Sequence, residues 1–232
     1  MTFERTRILY GDAACEKIRG ARVAVCGVGA VGSFAVEALA RLGVENFELF
    51  DFDVFDISNI NRQLCALNST VGKPKVEVQK ARILDINPAA RVEAHNVFID
   101  DTLAEQIAQS RPTVIVDAID SIASKVALAK RALGADTAIV SSMGAARRRN
   151  PRMAEVSDIF KTYGCPLASR IRSELRKAGI KRGYMCVFSP ERVEAETHIS
   201  GCGRKTIGSS VITTGVFGLN LADLALSEIV GK

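Results

Sequence analysis

The chain has no tryptophan, only two histidines (His95 and His198) and no cysteines spaced as CxxC. With so few imidazoles, a His-based metal site or a Ser-His-Asp triad has little to be built from. The six cysteines, at 15, 26, 65, 165, 186 and 202, fit neither a zinc ribbon nor a thioredoxin-type redox pair. In 232 residues they read as reduced thiols of a cytoplasmic protein rather than a disulfide framework. No apolar run approaches the roughly 18 residues of a membrane span. The start, Met1-Thr2-Phe3-Glu4-Arg5, lacks the apolar stretch of a secretory signal. No membrane partner is therefore expected.

Apolar residues make up 47% and charged residues 25%, so global disorder is excluded and one domain over 1–232 is the simplest organisation. The net charge of +5 is unevenly spread. Segment 145–182 holds eleven Lys/Arg against three acids, a net +8, which leaves −3 for the rest. A basic block on a slightly acidic chain calls for an acidic partner, and nucleic acid is the commonest; a solvated helix face plus a loop is the plain alternative.

Strand-like and helix-like patterns alternate over about 5–144. Buried strands are expected at Arg22–Cys26, Asn46–Phe50, 91–96, 113–116 and 137–141, with helices at Gly32–Leu42, 73–87, 102–109 and 121–133. This predicts an α/β fold: a Rossmann-like, mainly parallel sheet with helices on both faces. After Gly144 comes an elaborated C-terminal part, about 145–232. It holds the basic block, short strands at Met185–Phe188 and 192–196, a Gly/Ser-rich stretch at 201–210 and a last apolar helix over 210–230.

Gly27-Val28-Gly29-Ala30-Val31-Gly32 is a GxGxxG between a strand and a helix. Gly27, Gly29 and Gly32 permit a tight turn and close backbone approach, and the helix start offers free N–H groups to a phosphate. Asp51, 24 residues past Gly27, ends the second strand, where a carboxylate can take ribose hydroxyls. On these residues alone NAD would be the default. The residues after Asp51 do not fit it: Asp53, Asn59 and Arg62 come next, and Lys75 stands thirteen residues beyond Arg62. A triphosphate site needs such cations and a dinucleotide enzyme does not.

Asp51-Phe52-Asp53, Ser58-Asn59-Ile60-Asn61-Arg62-Gln63, Val71-Gly72-Lys73-Pro74-Lys75 and Asp117-Ala118-Ile119-Asp120-Ser121, together with the glycine loop, resemble the E1-like adenylating superfamily. The resemblance implies ATP with magnesium as cofactors. Asp51 would hold the ribose; Asn59, Arg62 and Lys75 would grip the phosphates; Asp120 would bind magnesium or position the α-phosphate. It also implies a homodimer in which an N-terminal arginine, Arg7 or else Arg5, enters the partner's site.

The acid to be activated is either the C-terminal glycine of a ubiquitin-like or sulfur-carrier protein, or a small carboxylate carried on RNA. The missing CxxC pairs, the lack of an evident cysteine nucleophile and the basic block favour RNA. Asp158-Ile159-Phe160-Lys161-Thr162, Cys165-Pro166-Leu167-Ala168, the run from Arg172 to Ile180, and Cys186-Val187-Phe188-Ser189-Pro190-Glu191 are similar to one subfamily, the tRNA threonylcarbamoyladenosine dehydratases. That similarity implies ATP-dependent cyclisation of the modified adenosine at tRNA position 37, and leaves room for a sulfur-transfer protein as accessory. From charge, Arg147, Arg148, Arg149, Arg152, Arg172 and Arg176 are the candidates for tRNA backbone contact. Carrier-protein adenylation stays open as the alternative.

Overall fold

The computed structural model describes residues 3–192, 198–199 and 205–231. Among these, seven strands form the main sheet: β1 (Arg22–Cys26), β2 (Asn46–Phe50), β3 (Arg91–His95), β4 (Val114–Asp117), β5 (Ile139–Ser142), β6 (Glu155–Asp158) and β7 (Met185–Phe188). Their spatial order is β3-β2-β1-β4-β5-β7-β6. All pairings are parallel except β6 with β7. β1, β2 and β3 run outward in one direction and the later strands in the other, so the order reverses between β1 and β4. Such a switch point opens a crevice at the carboxyl ends of the strands.

Alternate residues of the strands feed two cores. Val23, Val25, Val114 and Val116 face α2 (Asp12–Gly20), α3 (Gly32–Leu42), α4 (Lys75–Ile86) and α8 (Val211–Val230). Ala24, Cys26 and Ile115 face α5 (Asp101–Gln109), α6 (Ile122–Gly134) and α7 (Pro166–Lys177). α3 ends at Gly43, whose φ of +101° makes a left-handed cap. α8 lies close on α3 because Gly218 has no side chain: a Cβ there would stand 2.5 Å from the Val31 carbonyl oxygen.

The alternation expected for 5–144 is present, with ends displaced by one or two residues, as at 75–86 instead of 73–87. Four elements had no clear sequence signal. α1 (Glu4–Tyr10) and α2 are short, and α1 buries no residue. β6 reads Glu-Val-Ser-Asp and is a strand through its antiparallel pairing with β7. α7 hides an apolar row, Ala168, Ile171 and Leu175, inside the basic block. A two-residue ladder joins β8 (His198–Ile199) and β9 (Lys205–Thr206). The strand expected at 192–196 lies, but for its first residue, outside the described residues; Arg192 itself is in no strand.

Candidate active site

The glycine loop leaves β1 into the crevice. Gly27 takes φ +88°, and a Cβ on it would sit 2.8 Å from the Ala118 carbonyl oxygen, on the turn after β4. A Cβ on Gly32 would overlap the Gly27 carbonyl. Both glycines are thus required by the protein itself. Gly29 is different. The nearest atoms a Cβ would meet belong to the Gln63 side chain, at 3.8 Å or more. Its openness leaves backbone accessible for a ligand's approach.

Asp51 braces this loop from the end of β2. Its carboxylate accepts from the backbone N–H of Val28 at 2.8 Å and of Asp53 at 2.9 Å. Burial pushes its carboxyl above the usual range, while the nearby Lys75 ammonium and the two backbone donors pull the other way. Each oxygen still has acceptor capacity for a ribose hydroxyl. Lys75 opens α4 and is only 5% exposed; its ammonium donates to Asp53 Oδ2 at 2.7 Å. Asp53 therefore stores the cation expected to meet phosphate.

Asn59 closes a 3₁₀ turn at Ile57–Asn59, and Arg62 and Gln63 follow it. Asn59 is buried in a capping box: its Oδ1 accepts from the Asp56 N–H at 3.1 Å. Arg62 Nη1 donates to the Ser58 carbonyl at 2.8 Å and to Asn61 Oδ1 at 2.9 Å, which fixes the base of the guanidinium. Asn61 reaches the Ser209 carbonyl at 3.2 Å, so the segment before α8 buttresses the loop. Gln63 carries no role in the motif reading. It is buried beside Gly29, and its Oε1 has no hydrogen-bond partner among the described residues. An amide oxygen without a partner next to an open glycine invites a ligand donor.

Asp120 stands on the turn after β4, exposed. Beneath it, Asp117 and Lys125 form an ion pair of 2.7 Å with both side chains 0% exposed. Sequence reasoning missed Lys125, since a lysine in a helix pattern looks like solvent-facing charge. Arg7 does not join this group: on α1 it pairs with Asp12 of α2 at 3.2 Å.

The basic segment is less uniform than its charge count. Arg148 is 8% exposed, and its Nε has no hydrogen-bond partner among the described residues. Its carbonyl accepts from Thr213 Oγ1 of α8, which draws this stretch inward. Arg148 is thereby withdrawn from the surface set expected from charge. Arg172 is half-buried and bonded to Thr162 Oγ1. Arg147, Arg149 and Arg152 are exposed, as is Arg176, whose guanidinium lies 5.5 Å from the Phe160 ring centre. The Glu191 carboxylate accepts from the backbone N–H of Arg149 and Asn150 at 3.0 and 3.1 Å, pinning the arginine loop.

Burial pushes the thiol of Cys65 up to about 11 and that of Cys186 up to about 12; Cys26 is raised by the same cause. Such thiols are poor nucleophiles. Among the described residues no group of three His, Cys, Asp or Glu could hold a metal ion by itself, and no helix is long and apolar enough to cross a membrane.

The chain is similar to tRNA threonylcarbamoyladenosine dehydratase of Bacillus subtilis (strain 168), at 46% identity over 82% of this chain and 74% of that protein. The enzyme of the same name from Escherichia coli (strain K12) is 33% identical over 99% and 94%. A crystal structure of the E. coli enzyme in complex with ATP superimposes with a TM-score of 0.90 over 99% of this chain and 93% of that one. Molybdopterin-synthase adenylyltransferase of E. coli (strain K12) is 31% identical over 85% and 80%. The family model described as ThiF family matches residues 3–232, nearly the whole length. With its glycine loop, acidic strand end and seven-stranded sheet, this chain belongs to the ThiF family.

Proposed function

We propose that the chain catalyses the ATP-dependent cyclising dehydration of N6-threonylcarbamoyladenosine at position 37 of tRNA. The observation that carries this reading is the arrangement at the strand switch point. There, an open Gly29, the Asp51 carboxylate bonded to the glycine loop and a buried Lys75 on Asp53 stand together, a set of groups suited to a nucleoside triphosphate. The 46% identity to a dehydratase, against 31% to a carrier-protein adenylyltransferase, favours the RNA substrate.

The threonine carboxylate attacks the α-phosphorus of ATP and pyrophosphate leaves, taking its bonding electrons. A nitrogen of the same modification then attacks the acyl carbon and AMP departs with the former carboxylate oxygen. The nitrogen loses its proton, and the product is one water lighter. Because the second nucleophile is already tethered, proximity supplies much of that step. No enzyme thioester is needed, in keeping with the burial and raised pKa of Cys26, Cys65 and Cys186.

Arg62 and Lys75 neutralise charge on the departing pyrophosphate, and Asp51 orients the ribose. The single exposed carboxylate of Asp120, together with substrate phosphates, is a donor set that suits magnesium. Magnesium there would supply further charge neutralisation at the phosphates. Arg147, Arg149, Arg152 and Arg176 contact the tRNA backbone. The whole chain works as one adenylation domain, since β5, β7 and β6 extend the sheet that carries the nucleotide site. It acts as a homodimer. α1 leaves Ile8 and Leu9 about three-quarters exposed (73% and 75%), and this apolar face beside Arg7 suits a second copy that receives the arginine. The cytoplasm, where tRNA is modified, is its compartment.

The test is to incubate the protein with ATP, magnesium and tRNA carrying threonylcarbamoyladenosine, then weigh the nucleosides. An ATP-dependent product lighter by one water is expected. Lys75→Ala should lower kcat/KM by about 10²–10³-fold, the usual cost of losing one aimed charge. An unchanged nucleoside, together with ATP–pyrophosphate exchange that requires a Gly-Gly-tailed carrier, would move the assignment to carrier-protein adenylation.

A further inference from the structure

We infer that the buried group formed by Asp117, Lys125 and Ser141 is a positioning device for catalysis: it clamps the turn after β4 onto the glycine loop and so sets where Asp120 meets the nucleotide's phosphates. This rests on the reading of the crevice as an ATP site.

The ammonium of Lys125 has all three of its hydrogens directed at acceptors: Asp117 Oδ2 at 2.7 Å, Ser141 Oγ at 3.0 Å and the Ser142 carbonyl at 2.9 Å. Ser141 Oγ in turn donates to Asp117 Oδ2 at 2.6 Å. The other carboxylate oxygen, Oδ1, accepts from the Ile119 N–H at 3.1 Å, which bends the chain toward Asp120. One residue away, the Ala118 N–H donates to the Cys26 carbonyl at 2.8 Å, and the Ala118 carbonyl is the group against which only a glycine fits at position 27. An unbroken line of contacts thus runs from α6 through Asp117 to both the acidic turn and the glycine loop.

This cluster is an expensive way to fill a core. A fully buried ion pair is commonly no more stabilising than apolar side chains of the same volume. It does supply direction: three fixed bonds determine one carboxylate orientation, and that carboxylate determines the turn. Lys125 is wholly enclosed, so it acts through Asp117 and Asp120 and touches no substrate.

A double-mutant cycle separates this role from simple stability. The paired change Asp117→Asn with Lys125→Met removes both charges at nearly constant volume. It should lower kcat for the cyclised nucleoside about 30-fold, with KM for ATP within about threefold and the melting temperature little changed. In an Asp120→Asn background the same change should cost less than about threefold more, because the positioned group is already gone. Ser141→Ala, a milder cut in case the paired variant folds poorly, should cost about fivefold with the same non-additivity, and Ser141→Thr, which keeps the hydroxyl, should restore most of the rate. Fully additive losses, or a loss carried by KM alone, would overturn the inference. If the wild-type protein makes no cyclised nucleoside, the functional reading fails instead. The cycle is then read by ATP–pyrophosphate exchange with a Gly-Gly-tailed carrier as acceptor, and the same pattern of non-additivity decides.

Discussion

The candidate groups in the part of the chain up to Gly144 and those in the part after it are held in two different ways. In the first, the functional groups are fixed by backbone geometry: glycines at a strand-to-helix turn, carboxylates at strand ends, a lysine at the start of α4. In the second, the candidate groups are arginines whose usefulness depends on which of them reach solvent. Of the six arginines expected from charge to meet tRNA, Arg148 is buried and Arg172 is tied to Thr162, while Arg147, Arg149, Arg152 and Arg176 are exposed. Motif spacing is a reliable guide where backbone geometry leaves one solution. A charge count is a guide only to net attraction.

Glycine substitutions in the first part give the largest expected effect and sharpen the contrast inside the loop itself. Gly32→Ala forces a Cβ into the Gly27 carbonyl, an overlap with backbone that cannot give way. Its cost should reach or exceed the ~1–3 kcal/mol of ordinary overpacking, with adenylation lost. Gly29→Ala should leave the melting temperature within a few degrees and instead raise KM for ATP, as read by thermal denaturation and steady-state kinetics. Equal melting temperatures for the two variants would break the distinction between protein-required and ligand-required glycines.

Binding of tRNA by the second part should depend on salt more steeply than ATP binding by the first, because more phosphates are contacted. Changing Arg149, Arg152 and Arg176 together to alanine should weaken tRNA binding about tenfold and lower the slope of log affinity against log salt by about 2, at roughly 0.7–0.9 per phosphate contact. Adding Arg148→Ala should leave that slope where it is, because a buried guanidinium releases no counterion. Titrations at several salt concentrations, with ATP binding at each salt as the control that should not differ between variants, check both statements.

The smallest expected difference concerns opening of the two parts. β5 and β7 continue the parallel sheet, so Cys26 and Cys65 in the first part and Cys165 and Cys186 in the second should resist iodoacetamide equally in the native protein at pH 8. Mass spectrometry of timed samples would read this. Early labelling of Cys165 and Cys186 alone would mean that the second part opens as its own unit.

Much of the fold was legible because its strands are short apolar runs stopped by glycine, proline or aspartate, and its helices carry an apolar face. The three glycines of the loop and Asp51 could be singled out from the order strand, loop, helix, strand, Lys75 from its positive charge beyond Asp51, and Asp120 only through the resemblance to the adenylating superfamily. β6 was not, since Glu-Val-Ser-Asp has no pattern of its own and becomes a strand only against β7. Gln63 was passed over because its meaning lies in contact with Gly29, 34 positions away in the sequence. Lys125 was passed over because a charged residue is ordinarily placed in water.

The sequence by itself determined the alternation of strands and helices, the glycine loop between β1 and α3 and the excess of positive charge after Gly144, since each follows from local stereochemistry or simple counting. Only the tertiary structure decided which glycines of the loop the protein's own packing requires, which arginines face solvent, and that Lys125 lies sealed against Asp117. Those outcomes depend on segments far apart in the chain meeting at one strand edge, where burial and hydrogen-bond geometry, not residue type, assign each side chain its work.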